Sequence, residues 1–463
     1  MIGLFFKTLL AAALFGLTGA VAIATTFQDF TAGYGTTTTI AGVRQSETKD
    51  GSGNAINFWV PAFEGALASS VTLSNPHIAA ADAFGNIYIA DKASHSVLKV
   101  TTDGRIHTFA GTHMEGNNGD GPALATTLHL DGPNGLYVLP NGVVYILDPG
   151  NHRIRRVDTS GIMTTVVNDR DPNWHSSGRA LWVSNDEQLI YYTHEYIFAP
   201  STTTDGATVK KWTPFGGIEI VCSRAVGFSN PGNIAVNPID GKLYVTDRAE
   251  DDSANKLKTG LWRIDGPEQR TRMTGNISQF PAADGRLAIA SFIDGVRGVA
   301  FLADGSYFLC AHTEGSIWYV DTAGVLHKYL QGKGTKDTYS LPNGQHPPLV
   351  GNDYFSQPRA VTIAPNGTLI GVSNDSGFVF AVNNILPKTL PTNLTAARRD
   401  ANGLKLNWSA GLTQSYLVER SLQLQAPQWE IIGAVGGAGA LTEFTDADAI
   451  TFPRAYYRLS PPR

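Results

Sequence analysis

Residues 75–111 and 132–168 of this chain repeat one another, and that self-similarity limits the available folds more than any other feature of the sequence. The first stretch reads NPHIAAADAFGNIYIADKASHSVLKVTTDGRIHTFAG and the second GPNGLYVLPNGVVYILDPGNHRIRRVDTSGIMTTVVN. They align without a gap from Pro76 and Pro133 through Asp91 and Asp148, His95 and His152, to Gly104 and Gly161. Each holds four short alternating or apolar runs separated by turn residues, the pattern of a four-stranded antiparallel meander. Phe84-Gly85-Asn86 and Pro140-Asn141-Gly142 supply the first turn, Asp103-Gly104 and Ser160-Gly161 the last. Weaker copies begin near Gly178, Pro231, Val296 and Pro358. The 49 glycines of this 463-residue chain and its 10% aromatic content suit such a turn-rich all-β protein.

The last copy stops near Asn383, after three strands. The fourth is predicted at the other end of the repeats, where Thr36-Thr37-Thr38-Thr39-Ile40-Ala41-Gly42 has the β-branched content and terminal Ala-Gly of the run from His107 to Gly111. Sheets repeated around an axis leave two unpaired edges unless the chain ends are joined. An N-terminal strand lent to the last sheet closes the circle, so five complete units and one composite unit predict a six-bladed β-propeller over residues 36–384.

Asp148-Pro149-Gly150-Asn151-His152-Arg153-Ile154 then gives the repeat a family character: it resembles the D-x-x-N-H-R-I signature of NHL repeats. The loop Gly116-Asn117-Asn118-Gly119-Asp120-Gly121-Pro122-Ala123 is similar to that family's Gly-Asp-Gly connection between blades. The resemblance implies a TolB-like six-bladed propeller. It is clear in the first two full blades and decays in the blade from Gly178, where Tyr191-Tyr192-Thr193-His194 stands in place of the tyrosine-to-aspartate run. Six-bladed relatives of the kind it implies include amidating lyases, gluconolactonase-like metal hydrolases and streptogramin lyases.

Either side of this region the sequence changes character. Residues 1–24 carry Lys7 and an apolar run ending in Ala20, Ala22 and Ala24, a small-x-small pattern that predicts a cleaved signal peptide and a secreted, periplasmic or cell-surface protein with no membrane span after cleavage. After a linker at 385–390, residues 391–463 alternate apolar and polar positions, with Asn402-Gly403 as a hairpin turn and Trp408 and Trp429 as candidate core residues. A leading proline, a strand tryptophan, a Tyr-x-Val strand and a late Tyr-Tyr-Arg-Leu resemble a fibronectin type III domain, implying a small immunoglobulin-like β-sandwich. The formal net charge of −5 provides no field to gather nucleic acid. Cys222 and Cys310, the two cysteines, fall in different repeats and are expected to be unpaired and buried.

Aligned across the repeats, the position after the leading residue (proline in four of the six copies) holds His77, Asn134, Arg179, Gly232, Arg297 and Arg359, and the end of the second strand holds Asp91, Asp148, His194, Asp247, Ala311 (with His312 beside it) and Ser373. His77, Asn134, Arg179, His194, Arg297, His312 and Arg359 are the candidate ligand-binding residues at the channel mouth. Arginines from several blades converging there suit a carboxylate or sulfate. The recurring aspartates are expected to cap their own turns, and His95 and His152 to be structural. No catalytic motif is present, and no cofactor is expected. A divalent metal (zinc or calcium) would require His77, His194 and His312 to meet. The sequence therefore predicts a non-enzymatic, monomeric recognition protein. Its partner is an extracellular protein or polysaccharide met by long loops at Val43–Ser70 and Lys333–Asp353 and by exposed Trp59, Trp174 and Tyr339. The alternative is a channel-centred lyase or lactonase.

Overall fold

A computed structural model of the chain describes residues 34–43, 50, 52, 54–170, 178–194, 207–223, 228, 230–248, 259–275, 278–332, 357–374, 376–384, 394–410, 414–438, 441–452 and 454–463. The predicted signal peptide, the linker at 385–390, Trp174, Tyr339 and the loop from Lys333 lie outside them.

Among these residues the regular elements are β-strands and short 3-10 turns. Residues 76–384 form successive antiparallel meanders. The first comprises Pro76–Ala81, Ile87–Asp91, Ser96–Val100 and Ile106–Gly111. Four more run from Gly135, Gly178, Pro231 and Val296, and the second of the five adds the short strand Ala123–Leu124 at its outer edge. In the sixth sheet Pro358–Ile363, Leu369–Ser373 and Phe378–Asn384 are joined by Tyr34–Ala41, which pairs antiparallel with Phe378–Asn384. The closing strand starts two residues before the Thr36 boundary expected from the repeat. Its equivalence to the fourth strand of the first sheet extends to the backbone. Gly42 and Gly111 share φ near +92° and +93°, and a Cβ at either would lie 2.3 or 2.5 Å from the carbonyl oxygen of Gly377 or His95. Only glycine fits this tight exit from the strand.

The first strands of the six sheets touch in cyclic succession, the sixth returning to the first, so the arrangement is propeller-like. Between neighbouring sheets lie apolar cores. Ile78 and Tyr88 meet Leu136 and Val144, Leu147 meets Leu181 and Tyr192, and Val379 and Ile370 of the sixth sheet meet Ile89 and Leu98 of the first. Cys222 and Cys310 are unpaired and buried in two of these cores.

The recurring aspartates do something other than cap their own turns. Asp91 Oδ2 accepts the Ser74 N–H at 2.9 Å, Asp148 Oδ1 the Asp131 N–H at 2.8 Å, and Asp247 Oδ1 the Asn230 N–H at 2.7 Å. Each therefore fastens the backbone that leads into the first strand of its own sheet, 17 residues earlier. In the fifth sheet Glu314 Oε1 takes over, accepting the Asp294 N–H at 2.9 Å. The signature in the second sheet has a related use. Asn151 donates to the Gly116 carbonyl, Arg153 pairs with Asp120 at 2.6 Å, and the fully buried Arg155 joins Asp148 at 3.0 Å to the Gly119 carbonyl at 2.9 Å. The glycine-rich connection is thus bound to the sheet it precedes. The left-handed backbone at His95 and His152 (φ 49° and 56°) ends the turn after each second strand, a structural use as expected.

The C-terminal residues form two three-stranded sheets, Leu394–Asp400 with Gly403–Ser409 and Leu441–Asp446, and Glu430–Gly436 with Ser415–Ser421 and Tyr456–Ser460. Leu406, Trp408, Tyr416 and Val418 fill the space between them. Trp429 is not in that core; it is half-buried beneath the Arg458 guanidinium, 4.4 Å from its ring centre. The module packs on the turns that join first to second strands. Leu417 and Ala434 cover Ala83, Asn185 donates to the Gly437 carbonyl at 2.6 Å, and the Arg463 N–H donates to the Ala83 carbonyl at 3.0 Å. It therefore covers the end of the propeller-like body opposite the start of the first strands.

Removing residues 34–41 would bare the backbone groups of Phe378–Asn384 and open the core shared by the sixth and first sheets. A loss of roughly 4 kcal/mol would lower the thermal midpoint by about 4 °C in a chain of this size. The expected result is such a drop, with new proteolytic cuts in residues 357–384. An unchanged melting curve would disprove the closure.

Candidate functional site

Five of the six first strands break register where they begin. Pro76 pairs with Asp91 but Ile78 with Ala90, leaving His77 as an extra residue. Arg297 and Arg359 are left out in the same way between Val296 and Gly298 and between Pro358 and Ala360. Arg179-Ala180 and Gly232-Asn233 each oppose a single residue of their partner strands. These are β-bulges, which re-aim the side chain of the extra residue. In the second sheet no bulge is present, and Asn134 lies just ahead of the strand from Gly135, its N–H donating to the Leu147 carbonyl at 3.3 Å.

The bulges bring their side chains to one place. His77, Asn134, Arg179, Asn233, Arg297 and Arg359, one from each sheet, line a cavity of about 20 Å³, room for a water-sized group, with Ile78 and Ala360 as its remaining walls. The site is held by buried side chains of the preceding sheets. Thr193 donates to the Gly232 carbonyl at 2.9 Å, Thr246 to the Arg297 carbonyl at 3.1 Å, and Asn374 to the Pro76 carbonyl at 2.9 Å. The third, fourth and sixth sheets thereby each fix the start of the first strand in the sheet that follows.

Five of the seven sequence-predicted residues line this cavity, and the other two are placed differently. His312 is not a lining residue, but its buried imidazole lies within electrostatic reach of Arg297, Arg359, Arg248 and Arg179. Its Nε2 has no hydrogen-bond partner among the described residues. His194 belongs to a buried polar cluster around Asp169, whose Oδ2 lies 3.3 Å from His194 Nε2, 2.9 Å from Lys210 Nζ and 2.8 Å from the Tyr192 hydroxyl. Burial would raise the Asp169 carboxyl, but the hydrogen bonds of His194, Lys210 and Tyr192 outweigh it and hold the group below the ordinary range. Asn233 and Asn374 were not singled out by the aligned repeats. In the fourth blade the bulge holds two residues, and the side chain at the cavity belongs to the one after Gly232. Asn374 directly follows the aligned Ser373. Trp59, expected to be free for stacking, is packed against His113 with ring centroids 4.5 Å apart.

Electrostatics give the cavity its character. Burial lowers His77 well below the ordinary imidazole range, and Arg359, Lys92 and Arg179 lower it further. Burial and the four arginines do the same to His312. Both rings are therefore neutral at pH 7 in a positive local potential. His77 Nδ1 lies 3.0 Å from the Asn75 carbonyl and donates to it, which leaves Nε2 as the acceptor of the neutral ring. Such an environment suits an anion and opposes a divalent cation. Among the described residues no three His, Cys, Asp or Glu side chains come together as a metal-holding group.

The chain is similar to several known proteins. Residues 130–157 match the NHL repeat. Teneurin-m of Drosophila melanogaster is 33% identical over 226 residues, 41% of this chain and 8% of that protein, so the chain spans less than a tenth of its relative. Among solved structures, a protein of unknown function from Bacteroides thetaiotaomicron shares the fold, with a TM-score of 0.53 over 75% of both chains at 14% identity. A gluconolactonase from Xanthomonas campestris gives 0.45 over 67% of this chain and 86% of its own, at 15% identity. A virginiamycin B lyase from Staphylococcus aureus gives 0.41 over 66% and 94%, at 12% identity. No helix among the described residues is long and apolar enough to cross a membrane.

Because the two imidazoles are buried uncharged, the unfolded chain binds protons that the folded chain refuses once the pH falls below about 6.5, the ordinary imidazole value. Their contribution to stability is therefore complete above that pH and is lost as the pH falls toward their folded pKa values. Burial raises Asp91 to about 7, which acts with the opposite sign between about pH 4 and 7. Arg359→Ala removes a positive charge beside both rings. The expected result is an upward move of the His77 and His312 titrations, followed by NMR of the ring protons, and a shallower loss of stability between pH 6.5 and 5. Unmoved titrations would show that the arginine does not set the local potential.

Proposed function

We propose that this chain is an exported six-bladed NHL propeller with a fibronectin type III-like module, and that it is a binding protein whose ligand presents a carboxylate or sulfate to the arginine-lined end of the channel. The observation that carries this reading is the cavity between His77, Arg179, Arg297 and Arg359, where side chains from four sheets meet in a positive potential. Guanidinium groups are matched to planar or tetrahedral oxyanions by their paired N–H donors. His77 and the amides of Asn134 and Asn233 complete a polar wall that can orient the anion without neutralising it.

A channel-centred lyase or lactonase is the second reading, and one observation favours it. The neutral imidazole of His312 stands beside guanidiniums, an arrangement that can pair a general base with stabilisation of a developing oxyanion. Turnover of a lactone panel by the wild-type chain, abolished by His312→Ala with anion binding intact, would decide for catalysis.

The binding reading is tested by calorimetric titration with sulfate and with acetate. Saturable binding is expected, weakened about 10-fold or more by Arg297→Ala and by Arg359→Ala, since one charge-assisted hydrogen bond contributes roughly 1.5–3 kcal/mol. Binding indifferent to both substitutions, or none at all in a folded protein, would overturn it.

A further inference from the structure

Below the arginines the channel changes chemistry. A second cavity, of about 360 Å³, lies on the other side of Ile78 and Asn233, residues that also wall the arginine-lined space. Its lining includes Leu136, Tyr137, Leu181, Trp182, Phe301 and Ile363. Tyr137 and Trp182 stand edge to face with ring centroids 6.2 Å apart. The stretch of first strand that walls it, from residue 78 to 81 in the first sheet, is about 10 Å long at a strand's rise per residue. Its volume lies within the range of small-molecule sites. A partly open space whose walls are mostly apolar gains by taking up an apolar body.

The far rim of this cavity is not built by the propeller-like body alone. Ser415, Gly437 and Ala438 of the C-terminal module line it beside Asn185 and Pro365. The bond from Asn185 to the Gly437 carbonyl holds that part of the module on the rim, and Ala438 is exposed there.

We infer that the channel binds a small amphipathic acid, its anionic group against Arg179, Arg297 and Arg359 and its apolar body in the lower cavity, with the C-terminal module forming the mouth by which it enters. This rests on the reading of the arginine-lined cavity as an anion site and adds to it the ligand's class and its side of approach. Two observations join in it: a positive end and an apolar bore that share the walls Ile78 and Asn233. It also assigns the C-terminal module a role in the site rather than that of a spacer.

The test is calorimetry on the full exported chain with dodecanoate, 1-dodecanol, acetate, sulfate and an acidic polysaccharide, alginate. Dodecanoate is expected to bind one-to-one, roughly 100-fold or more tighter than acetate because of its buried methylenes. It should also bind at least about 10-fold tighter than dodecanol, a difference that Arg359→Ala removes. Ala438→Trp and Ser415→Trp, both on the rim of a separate module, should weaken dodecanoate about 10-fold or more while leaving sulfate affinity and the thermal midpoint unchanged. Sulfate binding with dodecanoate no tighter than acetate would overturn the amphipathic ligand and leave the anion site standing, as would alginate binding in its place. Dodecanol binding as tightly as dodecanoate would overturn the proposed orientation. Dodecanoate affinity untouched by both rim variants would overturn the entry route. Loss of sulfate binding as well would take the anion reading down with it.

Discussion

The ladder between Tyr34–Ala41 and Phe378–Asn384 is the constraint on which the rest of this structure depends. Each of the other sheets is made from a continuous stretch of chain and could in principle satisfy its own hydrogen bonds. This ladder seats the sixth sheet against the first, where the Asn374 bond to the Pro76 carbonyl adds a second tie, and the apolar core between them is formed only when both sheets are in place. The position of every inward residue follows. Arg359 and His77 face one cavity because the sixth sheet is held against the first. The tight exits at Gly42 and Gly111 show that the closing strand is seated as a true fourth strand, with the same backbone geometry as its counterpart in the first sheet.

How much of this was legible in the sequence can be argued residue by residue. The closing strand was legible because Thr36 to Gly42 shares its β-branched run and terminal glycine with a strand inside a complete repeat. The inward position after each copy's leading residue was legible because repeat alignment preserves register. The bulge itself was not, since the extra residue is defined by pairing with another strand and leaves no local signal. That is why the fourth blade aligns Gly232 with the arginines while the structure presents Asn233. The same limit explains the aspartates. Asp91, Asp148 and Asp247 recur with the repeat, as a structural group should, but their partners are backbone N–H groups 17 residues away, beyond the reach of a local turn argument. His194 aligned with those aspartates and therefore with the channel. Its pairing with Asp169, across a stretch outside the described residues, could not be read from the alignment.

Half-buried cations gathered at one point repel one another, and a fold that brings several together must hold them rigidly. Here the rigidity comes from neighbour to neighbour: a hydroxyl or amide of one blade bonds the backbone at the bulge of the next, as Thr193, Thr246 and Asn374 do. The bulges are thus not independent features of separate repeats. The lowered imidazoles of His77 and His312 follow from the same concentration of charge. Both rings remain neutral beside the arginines, and a neutral ring can accept or donate a hydrogen bond without adding to the repulsion.

The C-terminal module sits at the opposite end of the channel. A spacer would be expected to meet its neighbour through a small, replaceable contact. This module instead buries Leu417 and Ala434 on Ala83, receives a hydrogen bond from Asn185, and ends with both backbone groups of Arg463 engaged, the N–H by Ala83 and the carbonyl by Asn366. These contacts fall on turns of three different sheets, so the module's orientation over the channel is fixed at three points and cannot pivot about one. Ser415, Gly437 and Ala438 are consequently as well positioned as the strands themselves. A mouth assembled from two modules can be altered by changes in either, and the sandwich can vary on its rim without disturbing the cyclic cores that keep the arginines together.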